Sequence, residues 1–101
     1  MSKPYRDYVQ ATVEGLKKDP TFAAEYLNTV LEDGDQAELM LALRRLASAF
    51  GGIAHLAEEA ELNATSLYRM LSPQGNPELK SLRALLDAMG MRLAVQPKDA
   101  A

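Results

Sequence analysis

The residues with the most usable chemistry lie in the stretch NATSLYRMLSPQGN, from Asn63 to Asn76. Thr65 and Arg69 are one turn apart at about 3.6 residues per turn, flanked by Ser66 and Tyr68. Opposite them, Leu67, Met70 and Leu71 cluster within about 100° of one another, an apolar face that must turn inward. A short helix built this way presents hydroxyls, a phenol and a guanidinium on one side. Hydroxyls suit base edges or phosphate oxygens, and an arginine fork suits guanine or phosphate. A helix entering the major groove of DNA offers such a face at its N-terminus. Asn63, Thr65, Ser66, Tyr68, Arg69, Gln74 and Asn76 are therefore the candidate DNA-contacting residues. The N–H groups after Asn76 add a place for a phosphate at the start of the last helix. Periodicity alone leaves a second reading open, a helical hairpin with a solvated polar face.

Other chemistry finds little support. The absence of cysteine excludes disulfides, thiolate metal sites and a cysteine nucleophile, and suits a reducing compartment. His55 is the single histidine. It has no acidic or cysteine partner at metal-ligand spacing and reads as a surface or helix-packing residue. Glu58-Glu59 as paired catalytic carboxylates lack a pocket and a third group. Gly51-Gly52 lacks the Lys-Ser/Thr that completes a phosphate-binding loop. Tyr5 and Tyr8 read as peripheral core contacts, with a protein-binding surface as the alternative. Arg44-Arg45 reads as a solvated face, with a phosphate contact as the alternative. The expectation is a binding protein rather than an enzyme, with no metal and no cofactor.

The elements that position this stretch follow from spacing and caps. Val9, Val13 and Leu16 predict a first helix over Tyr5–Lys18. Asp19-Pro20 restarts the chain as cap and first helical residue. The helix it opens carries Phe22, Tyr26, Leu27, Val30 and Leu31 on one stripe and stops at Gly34. Asp35 caps the next, with Glu38 at capping-box spacing. Leu39, Leu43, Leu46 and Ala47 form its inner stripe, and Gly51-Gly52 ends it. Two short helices follow. Ile53–Ala60 buries Ile53, Leu56, Ala57 and Ala60, and Ala64–Leu71 is capped by Asn63. Small Ala57 lets them meet closely, and Leu62 fills the turn. Asn76-Pro77 repeats the cap-then-proline signal for a last helix with Leu79, Leu82, Leu85 and Leu86 inside and Gly90 at its end. Met91–Val95 then predicts a short strand before Pro97. A lone strand lacks a ladder partner in its own chain, so Met91, Leu93 and Val95 are the expected seam of a homodimer.

With 101 residues, 48% hydrophobic and 25% charged, the chain has room for one ordinary globular domain and no deep pocket. No apolar run approaches the roughly 20 residues of a membrane span, and no signal-peptide core is visible, so the expected location is the cytoplasm. The net charge of −3 is unevenly spread. Met1–Leu43 holds four bases and eight acids, whereas Arg44–Gln96 holds six bases and five acids. An acidic end for a basic partner and a near-neutral end for phosphate would produce this pattern, as would ordinary surface variation.

The segment IAHLAEEAELNATSLYRMLSPQGNPELKSLRALLDAMGMRLAV, Ile53–Val95, resembles the Cro/repressor-type helix-turn-helix of HigA-like addiction module antidote proteins. The likeness is carried by Leu56-Ala57, by LYRML at Leu67–Leu71, by SPQGNP at Ser72–Pro77, and by LRALLDAMGMRLAV. Upstream, AAEYLNTVLEDGDQAELMLALRRLA resembles the same family, above all in the AxYLNxxLEDGD pattern from Ala24 to Asp35. The resemblance implies an all-α fold of five to six short helices with one short C-terminal β-strand. It also implies a dimer that neutralises a RelE/HigB-like toxin and represses its own operon by binding operator DNA. Residues 1–34 would then be an N-terminal helical segment and candidate toxin-binding part. Residues 35–101 would be the helix-turn-helix domain with its dimerisation strand, the two forming one compact unit. Two departures carry consequences. The position after Ala60, commonly glycine in this motif, is Glu61, and a positive φ there would cost of order 1 kcal/mol. Glu58, Glu59 and Glu61 would also weaken phosphate contacts. Alternatives are a stand-alone helix-turn-helix regulator and a protein-interaction domain with little DNA binding.

Overall fold

A computed structural model describes residues 20–98. The helix expected over Tyr5–Lys18, with Tyr5 and Tyr8, and the Asp19 cap lie outside them. Among the described residues there are five helices: α1 Pro20–Asp33, α2 Gln36–Ala49, α3 Ile53–Glu59, α4 Ala64–Met70 and α5 Leu79–Ala88. Pro20 opens α1, where a missing N–H leaves no helical bond unmade. Gly34 closes it, donating its N–H to Val30 O at 2.7 Å. The Asp35 carboxylate accepts the Glu38 N–H at 2.8 Å, and Glu38 Oε1 accepts the Asp35 N–H at 3.3 Å. These reciprocal bonds are the predicted capping box.

α2 contributes the most buried residues to the core, Met40, Ala42, Leu43, Leu46, Ala47 and Ala49. The other helices bring Ala23 and Leu27 from α1, Leu56 and Ala57 from α3, Leu67 and Leu71 at α4, and Leu85, Leu86 and Met89 at α5, and α3 packs against α2, α4 and α5. No buried residue in this core is polar among the described residues. α2 and α3 meet at 82° across Phe50–Gly52, and among the described residues no single helix is long and apolar enough to cross a membrane.

Several expectations need correction. The strand over Met91–Val95 is not seen. Residues 91–97 carry no regular secondary structure, because a strand is defined by its ladder and one chain offers this segment no ladder partner. The last helix begins at Leu79, not after Asn76. A proline disfavours the helical conformation in the residue before it, both Asn76 and Pro77 line an apolar crevice with Leu39, Leu82 and Leu86, and the observed cap position is Glu78. Leu79 is 64% exposed, since the first turn of α5 reaches past the core. In α1, Phe22 and Leu31 are exposed while Ala23 is fully buried. α1 packs chiefly against α2, which covers only a narrow stripe of it.

Candidate nucleic-acid interface

α3 and α4 are short, and the turn between them fixes their relation. The Glu61 N–H donates to Glu58 O at 3.2 Å and the Leu62 N–H to Ala57 O at 2.8 Å. These two bonds close the end of α3 as a Schellman motif, which requires a left-handed residue between them. Glu61 is that residue, with φ of 57°, the one non-glycine positive φ among the described residues. Glycine does the same at Gly51 and Gly90, with φ of 111° and 79°. Ala57, 1% exposed, lies in the core, and Leu62 packs against that core from the turn.

Asn63 then starts α4. Its Oδ1 accepts the Ser66 N–H at 2.9 Å, so this oxygen serves as the helix cap, while its amide NH2 keeps both donors for a ligand. Leu67 and Leu71 turn fully inward and Met70 partly so. That leaves Thr65, Tyr68 and Arg69 exposed on the outer side, as the spacing predicts. Ser66 is half-buried. With Arg69, Asn63, Glu61, Glu78 and Ser81 it lines a shallow hollow between α4 and the start of α5. Gln74 is exposed on the loop after α4. Asn76 is exposed too, and α5 begins only at Leu79, with Glu78 and not Asn76 at its cap position. Met91, Leu93 and Val95 lie on the C-terminal segment, Val95 98% exposed and Leu93 41% exposed.

The electrostatics are mixed. Glu58, Glu59 and Glu61 are all exposed, as expected of a face that would weaken phosphate contacts. Glu59 is engaged, its Oε1 lying 3.0 Å from His55 Nε2 one turn back along α3. His55 is thus a surface residue, as expected, but the expectation that no acidic residue partners it is corrected, because i,i+4 spacing on one helix face brings Glu59 against it.

Two residues near this face escaped sequence reasoning. Arg44, expected to be solvated, is half-buried on α2. Its Nε donates to Leu71 O at 2.7 Å and its Nη2 to Tyr68 O at 3.3 Å. Its guanidinium carbon stands 5.2 Å from the centre of the Tyr68 ring. Gln36 Nε2 donates to Gly75 O at 2.9 Å. Arg45 is half-buried as well, its Nη1 donating to the Tyr26 hydroxyl at 3.4 Å. A polar residue on a helix flank carries no sequence signal for a partner 27 or 39 positions away.

Residues 10–97 match a sequence family described as probable addiction module antidote protein. No curated protein and no solved structure matches the chain.

Proposed function

The chain belongs to the probable addiction module antidote family, and on that premise we propose that it is the antitoxin of a toxin–antitoxin pair and a DNA-binding repressor of its own operon. The family match over residues 10–97 carries the antitoxin role, which implies a toxin partner. A RelE/HigB-like ribonuclease is the partner expected from the resemblance. DNA binding is supported by the α3–α4 pair read as a helix-turn-helix. α4 turns Thr65, Tyr68 and Arg69 outward while Leu67 anchors it in the core. Operators of this kind are read by two copies, and the Met91–Val95 segment, which lies in no helix or ladder, is suited to pair with the same segment of a second copy.

Two measurements test the two halves. Co-expression with the product of the neighbouring reading frame should restore growth that the neighbour alone arrests. A mobility shift on the duplex immediately upstream of this reading frame should appear and weaken steeply as salt rises. A normal rescue without any shift at low salt would favour a second reading, a protein-interaction domain that has lost DNA affinity. The exposed Glu58, Glu59 and Glu61 are the observation on its side.

A further inference from the structure

We propose that Arg44 and Gln36 are positioning residues for DNA reading, a two-point clamp sent from α2 that sets the orientation of the end of α4 and of the loop after it. The inference rests on the DNA-binding reading above and deepens it.

α4 has seven residues, far too few to hold a helical shape unaided. Its first turn is fixed by the Asn63 cap. Of its last carbonyls, Leu67 O and Arg69 O accept the backbone N–H groups of Leu71 and Ser72, while Tyr68 O, and Leu71 O just beyond the helix, are left for donors from elsewhere. Arg44 supplies them. Nε serves Leu71 O, Nη2 serves Tyr68 O, and the positive charge meets the negative end of the helix. Gln36 lies eight residues earlier on α2, about 12 Å along its axis, and holds Gly75 O. The two contacts thus bracket the loop from Leu71 to Gly75, at whose exposed tip Gln74 sits. Gly75 must be glycine here, because a Cβ would collide with Met70 O. The guanidinium also lies against the ring of Tyr68, the aromatic residue on the outward face of α4. Lysine cannot replace this arrangement. An ammonium is a point donor and cannot span two carbonyls and a ring as a planar fork does.

The test compares Arg44→Lys, Gln36→Ala and Arg69→Ala on two duplexes, the one immediately upstream of this reading frame and a scrambled one of equal composition. Arg44→Lys keeps its charge, so scrambled binding should hold while binding to the upstream duplex falls about tenfold. Gln36→Ala, which removes one neutral hydrogen bond, should lower upstream binding about two- to threefold. Amide hydrogen exchange gives the readout that a purely structural role would not move. The Ser72 and Gly75 amides, bonded to Arg69 O and Ser72 O, should exchange faster in both variants, while those of Leu43 and Leu46 should not. Upstream binding unchanged by Arg44→Lys but lost in Arg69→Ala overturns the clamp. So does a loss on both duplexes that follows a uniform rise in exchange. If Arg69→Ala also binds the upstream duplex unchanged, the DNA-binding reading itself falls and the clamp falls with it.

Discussion

Arg69 and Thr65 sit one turn apart on the exposed side of α4, but they can offer a duplex different things. A guanidinium reaches guanine bidentately or grips a phosphate, while a hydroxyl makes a single contact. Arg69 also shares its hollow with Glu61 and Glu78, so part of its field is offset before any phosphate arrives. If Arg69 reads guanine, Arg69→Ala should cost about 1–3 kcal/mol at one base position per half-site. If it grips phosphate, the loss should be even across sequences and the salt slope should fall by about one. Thr65→Ala should act in the same direction and more weakly. Both side chains are exposed, so the fold should survive each change. A binding titration of both variants over a panel of single-base operator changes checks this. Unchanged affinity in both would mean that α4 does not read DNA.

At the scale of elements, the turn between α3 and α4 separates what the residue order reveals from what it hides. The capping box at Asp35–Glu38, the Asn63 cap and the inward set around Leu67 were all legible, since each depends on residues three or four positions apart. So was the positive φ expected at Glu61. The late start of α5, the buried engagement of Arg44 and the exposure of Leu79 were not, because each is decided by packing between distant elements. Glu61 allows a test of the turn itself. Glu61→Gly removes the left-handed strain and should stabilise the domain by up to about 1 kcal/mol, read as a rise of several degrees in Tm. It also removes an acid beside α4, so DNA affinity should rise. Glu61→Gln separates the two effects, raising affinity through the lost charge while leaving Tm nearly where it was. A lower Tm in Glu61→Gly would mean that the side chain contributes more to the turn than the strain takes away.

At the scale of the whole molecule, the open question is what covers the C-terminal segment. Leu93 and Val95 alternate with Arg92 and Ala94, Val95 is almost wholly exposed, and residues 91–97 lie in no helix or ladder. An edge of this kind invites pairing, and a second copy presents an identical edge, so antiparallel pairing about a two-fold axis satisfies both at once. Met91 packs partly against the core, so the informative truncation keeps it and removes Arg92 onward. The truncated chain should melt as a folded domain but run as a monomer by light scattering, where the full chain should run as a dimer. Its operator binding should lose cooperativity between half-sites and fall well below that of the full chain. Rescue of growth against the toxin should persist if the toxin meets the acidic N-terminal part, where Met1–Leu43 holds eight acids to four bases. A truncated chain that stays dimeric would move the seam elsewhere. One that is monomeric yet binds the operator as tightly as the full chain would show that reading needs no second copy.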